Sequence, residues 1–154
     1  TKEAAKSYKK ALNLDEENPE LWRYYGRLLE INKDWKGAIE VWNGPVIKEY
    51  PVDANNGLGR CYVALKKYDK ALEFYKKGYD EDPNDEDIKK EYHYNISCVY
   101  SLQKDYDKCY KMLSKVVYLI QDDEGLHEWI FEDPEMKNFR DNDKRFAELF
   151  PKKP

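Results

Sequence analysis

The sequence is poor in the residues that catalytic and metal sites draw on. Its 154 residues include three cysteines and two histidines. Cys61, Cys98 and Cys109 are odd in number and show no C-x-x-C spacing, which excludes a fully paired disulfide framework and a zinc site of that type. Three unpaired thiols suit a reduced, cytoplasmic setting. His93 and His127 fall in different parts of the chain, and no Gly-rich phosphate loop, G-x-S-x-G or H-E-x-x-H motif is present. No catalytic residue, metal or cofactor is therefore expected. Long hydrophobic runs are also missing: the longest lies around Val116 to Ile120, whereas a membrane-spanning helix needs roughly 20 apolar residues. The N-terminus, Thr1-Lys2-Glu3-Ala4-Ala5-Lys6, has neither an initiator Met nor the apolar core of a signal peptide and reads as a processing boundary. There is no excess of positive charge either. Twenty-seven Lys and Arg stand against 31 Asp and Glu, a net charge of -4, so no global basic field exists to hold nucleic acid. Neither nucleic acid nor membrane is an expected partner. Seven Gly and seven Pro are few, and 14 Tyr and 4 Trp are many, the composition of helices packed through aromatic side chains.

What the sequence does contain is a repeat. Gly26-Arg27 recurs as Gly59-Arg60, Trp35-Lys36-Gly37-Ala38 as Tyr68-Asp69-Lys70-Ala71, and Trp42 as Tyr75, each at an offset of 33. A further copy follows 38 residues on, with Tyr100 matching Tyr62, Tyr106 matching Tyr68 and Cys109 matching Ala71. Its extra residues amount to about one helical turn. Each copy carries two segments with apolar residues at helical spacing. The first segments hold Trp22, Tyr25, Leu28 and Leu29, then Leu58, Cys61, Tyr62 and Ala64, then Ile96, Val99, Tyr100 and Leu102. The second follow short polar turns at Asn32-Lys33-Asp34, Lys66-Lys67 and Gln103-Lys104-Asp105. Small residues at Gly26, Gly59 and Ser97 face small residues at Ala38, Ala71 and Cys109, and a Gly inside a helix, which costs about 1 kcal/mol relative to Ala, has a packing reason there. The pairs are expected to be αα-hairpins.

The order Trp22, Tyr25-Gly26, Leu29, Trp35, Ala38, Trp42, repeated as Leu58-Gly59, Tyr62, Tyr68, Ala71, Tyr75, Pro83, resembles the tetratricopeptide repeat, a 34-residue helix-turn-helix unit. That resemblance implies an all-α, right-handed superhelical solenoid. Residues 1–18, with Ala4, Tyr8, Ala11, Leu12 and Leu14, stand as the second half of a preceding copy, and complete copies run over 19–51, 52–84 and 85–121. Residues 122–154 are expected to cap the array, Leu126 to Phe131 covering the third copy with two short helices behind. The run from Asp133-Pro134 through Arg140-Asp141 to Arg145-Phe146 is similar to the ending of bacterial members of the family. Asn43-Gly44-Pro45 should interrupt the second helix of the first complete copy, because Pro inside a helix removes a hydrogen bond.

Several sharper readings compete with the repeat. Asp80, Asp82, Asn84, Glu86 and Glu91 follow the oxygen-ligand spacing of a calcium loop, yet Asp85 stands where the sharp turn needs Gly, which makes the stretch an inter-repeat turn. Asn95-Ile96-Ser97 has the glycosylation-acceptor pattern inside a helical segment. His93 holds the place of Trp22 and should pack. The tyrosines sit at inward positions of the repeat, not beside a basic groove.

In a solenoid the concave wall is built from the first helix of each pair, and its outward i, i+4 positions are spare. Those positions carry Arg23, Arg27 and Glu30, then Asn56, Arg60 and Val63, then Tyr94, Asn95, Cys98 and Ser101. Arg offers a planar fork of donors to carboxylates, and Asn pairs a donor with an acceptor for an extended backbone. A non-catalytic module is expected, taking a protein or peptide segment of some acidic character against Arg23, Arg27, Asn56, Arg60, Tyr94 and Asn95. Glu20 and Glu30 are the alternative partners of the arginines. The chaperone-tail clamp of some relatives is incomplete: Arg23 and Arg27 stand at its first pair, but Gly57, Glu91 and Asn95 replace the rest. Self-association through the N-terminal half-repeat, where Ala4, Tyr8 and Leu12 lack a helix partner, is the rival expectation.

Overall fold

The computed structural model describes residues 2–12, 15, 18–44, 46–120 and 123–151; the expectations at Leu14 and Pro45 lie outside them. Every regular element among the described residues is helical. The chain divides into two compact units, Thr1–Asp82 and Pro83–Pro154, so the third repeat and the C-terminal segment fall together.

The first unit holds α1 (Lys2–Leu12), α2 (Pro19–Ile31), α3 (Trp35–Trp42), α4 (Val46–Glu49), α5 (Pro51–Ala64) and α6 (Tyr68–Glu81). Asn18 caps α2 by accepting from the amides of Glu20 and Leu21, with Pro19 in the first turn where its missing N–H costs nothing. The expected interruption is present: α3 stops at Trp42, Asn43 and Gly44 turn, and helix resumes at Val46. On α1, Leu12 is buried while Lys6, Lys9 and Lys10 are exposed, and the Tyr8 ring lies 6.1 Å from that of Tyr24 on α2.

Trp42 explains why glycines recur. A Cβ at Gly26 would stand 2.9 Å from the Trp42 ring, and one at Gly57 only 2.4 Å. Two helices thus close on one indole that is wholly buried. One repeat later Tyr75 fills the equivalent slot, 2.3 Å from a Cβ placed on Gly59. Ala38 and Ala71 are fully buried, but the side chains that come nearest to Gly26 and Gly59 are the large rings of Trp42 and Tyr75, not those alanines. The role of Gly57 was not legible from the repeat, because its counterpart in the copy before is Tyr24.

The second unit holds α7 (Glu86–Gln103), α8 (Tyr106–Leu119), α9 (Glu124–Glu132), a 3-10 turn (Pro134–Met136), α10 (Lys137–Asn142) and α11 (Arg145–Leu149). Asp85 caps α7 through the amide of Ile88, and Asp80 of the first unit pairs with Lys76 at 2.7 Å. Cys98, Cys109, Leu113, Val116, Ile130, Met136, Phe139, Phe146 and Phe150 form one core. Ile130 of α9 packs in this core with residues of α7 and α8, while Trp129 beside it is 53% exposed. The deepest aromatic cover comes from Phe139 and Phe146 of the two short helices, packed edge to face at 5.8 Å. His93 is buried beside Tyr92, and burial first, then Lys115 and Lys89, lowers its pKa from the usual 6.5.

All three hairpin turns are built alike. Lys33, Lys66 and Lys104 have φ of 60°, 58° and 62°. In each, the next residue's amide returns to a carbonyl five back (Asp34 to Leu29, Lys67 to Tyr62, Asp105 to Tyr100) and the lysine amide to one three back. This is the Schellman closure of a helix, with Lys where Gly is usual. Asp34 and Asp105 then cap the next helix, through Gly37 and Lys108. Lys67 in the same place makes no side-chain cap.

Candidate interaction surface

The three arginines of the first unit project from α2 and α5, and each meets a carboxylate of a neighbouring helix. Asp53, in the first turn of α5, is shared: Arg23 donates from one terminal nitrogen to Oδ2 at 3.0 Å and Arg27 to Oδ1 at 3.1 Å. Arg23 also reaches Glu20 at 3.5 Å and lies 4.7 Å from the centre of the Tyr50 ring. Its hydrogen bond to Asp53 raises its already high pKa, so its charge is permanent. Arg60 grips Glu30 with two parallel bonds, Nε to Oε2 at 2.8 Å and a terminal nitrogen to Oε1 at 3.1 Å. The Trp42 indole donates to the same Oε1 at 2.8 Å. Glu30, with its side chain 12% exposed, is therefore the joint of α2, α3 and α5.

Accessibility separates the arginines. The Arg27 side chain is 52% exposed, against 25% for Arg23 and 31% for Arg60. Arg27 thus combines an open guanidinium with a shared, half-satisfying partner, while Arg60 is spent on holding repeats together. Asn56 is buried, its amide oxygen 3.2 Å from where a Cβ on Gly78 of α6 would stand. The pairing residue that the repeat register did not reveal is Asp53. A signal exists: Arg23 to Asp53 and Glu30 to Arg60 share one separation of 30 residues.

The other two expected residues lie in the second unit. Tyr94 is buried, donates its hydroxyl to Asp133, and has its ring 5.0 Å from that of Trp129. Asn95 is partly buried, with its amide nitrogen enclosed and unbonded. Ser97 is fully buried and donates to the Tyr94 carbonyl at 2.6 Å. The C-terminal motif residues also have places. Arg140 donates to the Phe131 carbonyl. Arg145 ties α11 to α8 through Asp107 at 2.9 Å, holds Asp143, and lies over Tyr110 at 5.2 Å. All three cysteines are buried; burial pushes Cys61 and Cys109 up to about 12.

Three family models, each described as tetratricopeptide repeat, match residues 1–43, 52–85 and 90–123. The chain belongs to the tetratricopeptide repeat family. Solved structures described as "MamA RS-1 ArsTM double mutant" and "Crystal structure of MamA protein" share its all-α solenoid fold. The first has a TM-score of 0.64 at 24% identity, covering 80% of this chain and 68% of that one. The second has a TM-score of 0.63 at 19% identity, covering 95% and 78%. Comparison with curated proteins gives no match. Tetratricopeptide repeats are in general non-catalytic protein-interaction modules, and the repeats of this chain make it a protein-interaction scaffold. No helix among its described residues is long and apolar enough to cross a membrane.

Proposed function

We propose that the α2 and α5 face of the first unit binds a segment of a partner protein that carries carboxylate side chains, without catalysis. The observation that supports this most is the Arg23–Asp53–Arg27 cluster: two guanidiniums converge on one carboxylate, and one of them is half exposed. An incoming Asp or Glu would complete the pairing of Arg27, whose fork suits a carboxylate. Tyr24, 43% exposed on the same helix, offers a rigid aromatic contact beside it. Arg60 and Asn56 support this face by fixing α5 against α2 and α6. Tyr94 and Asn95 enter only as residues of the equivalent face on the third repeat.

The test is selection of peptides from a random 12-residue library by the full chain, repeated with Arg27→Glu and with Asp53→Asn. The variants distinguish the cluster from general charge, because Arg27→Glu reverses the open cation and Asp53→Asn removes its internal competitor.

A further inference from the structure

In the repeat register, Tyr94, Cys98 and Ser101 of α7 are the equivalents of Arg23, Arg27 and Glu30, and of Asn56, Arg60 and Val63. On α7 this face is covered by the chain itself. The Tyr94 hydroxyl donates to the Asp133 carboxylate. Ser101 Oγ donates to the Glu135 carbonyl at 2.7 Å and accepts from the Phe139 amide at 3.3 Å. Met136 and Phe139 are fully buried beneath. An acidic side chain, a main-chain carbonyl, a main-chain amide and apolar anchors are the contacts by which a bound peptide would be held. The short segment from Asp133 to Phe139 supplies all of them from within the same molecule.

We infer that this segment is an autoinhibitory occupant: it fills the third-repeat face in cis, and a partner's acidic segment reaches Tyr94 and Ser101 only when it leaves. The inference rests on the reading that the first-helix faces of these repeats take acidic segments. Tethering explains why the cis segment wins. Belonging to the same chain gives the segment an effective concentration of order millimolar, so a free segment of the same affinity competes only where it is at that concentration or where the cis contacts are weakened. The elements that carry the segment are short, a 3-10 turn of 3 residues and helices of 9, 6 and 5, whereas α7 and α8 run for 18 and 14. Beside its polar contacts the segment buries Met136 and Phe139 in the core, so its opening is a sub-global event that costs less than unfolding the long α7 and α8 hairpin.

Native-state hydrogen exchange on the full chain tests this. The amides of residues 133–149 should exchange through an opening that leaves α7 and α8 protected, and Asp133→Ala should speed that exchange at least tenfold without moving α7 or α8. A synthetic peptide of residues 129–141, labelled for anisotropy, should bind the Asp133→Ala chain at least tenfold more tightly than the unsubstituted chain. Exchange of the segment in step with α7 and α8, or equal or absent peptide binding to both chains, overturns the inference. Should Asp133→Ala lose its helical circular dichroism, Tyr94→Phe removes the same hydrogen bond from the other side and carries the exchange test, with the same selective acceleration expected. Failure of the reading on which this rests would show separately, as library peptides indifferent to Arg27→Glu.

Discussion

Arg60 on α5 holds Glu30 on α2 by two parallel hydrogen bonds of 2.8 and 3.1 Å, and the carboxylate so fixed also receives the indole N–H of Trp42. A side chain at a position where a solenoid displays ligand contacts is here a structural joint. Removing it should be felt as stability, not as binding.

Glu30→Ala removes both bonds that Arg60 makes to Glu30 and the acceptor of the buried Trp42 indole N–H, and losing the partner of buried or charged donors costs about 1–3 kcal/mol. Urea unfolding should show a loss of about 2 kcal/mol. A loss below about 0.5 kcal/mol would mean that water replaces the carboxylate at both donors.

Gly57→Ala should destabilise by about 1–3 kcal/mol, because its methyl would stand 2.4 Å from the Trp42 ring and overpacking a close contact costs that much. Gly125→Ala is the control, since its nearest neighbour would be 3.6 Å away. Equal unfolding midpoints for the two variants would remove Trp42 from the slot between α2 and α5.

Lys66→Gly and Lys104→Gly should each raise stability by about 0.5–1 kcal/mol, since Gly enters the left-handed region without the steric penalty of a Cβ. Lys67→Asp should add a cap of about 0.5–1 kcal/mol at the start of α6. Thermal unfolding measures both. A lowered midpoint in the Gly variants would show that the lysine side chains, not the turn backbone, decide these positions.

The buried thiols set an alkaline limit. Unfolded cysteine ionises near 9, whereas Cys61 and Cys109 are pushed up to about 12. The folded state then keeps protons that the unfolded state has released, so this contribution is complete below about pH 9 and is lost as pH climbs through 12. His93 acts in the opposite sense. Its pKa is depressed below 6.5, so its contribution is complete above that value and is lost as pH falls beneath it. Stability measured by urea at stepped pH should fall at both ends, and Cys61→Ala with Cys109→Ala should flatten the alkaline limb. An unaltered alkaline limb in that double variant would assign the loss to other groups.

The repeat was legible because its packing is written in size: Gly26 against Trp42 and Gly59 against Tyr75 recur at one offset. The hairpin turns were legible as polar interruptions, though not the left-handed lysines in them. The candidate site was less so. Reading one helix face at a time located Arg23, Arg27 and Arg60 but missed Asp53, because the ion pairs run between helices of successive repeats. The helical period puts Tyr94 on an open face, and nothing periodic in residues 129–139 announces that a 3-10 turn and α10 fold back onto α7. The helical period places a face; what covers it is settled by tertiary contacts such as Tyr94 to Asp133.

Peptide selection on the full chain addresses the proposed binding face most directly. Peptides enriched by the unsubstituted chain should carry Asp or Glu, should lose at least tenfold in affinity with Arg27→Glu, and should gain several-fold with Asp53→Asn, while the helical circular dichroism of all three chains stays the same. Enriched peptides without carboxylates, or affinities that ignore both substitutions in folded chains, would contradict the assignment of the Arg23–Asp53–Arg27 cluster as the binding surface.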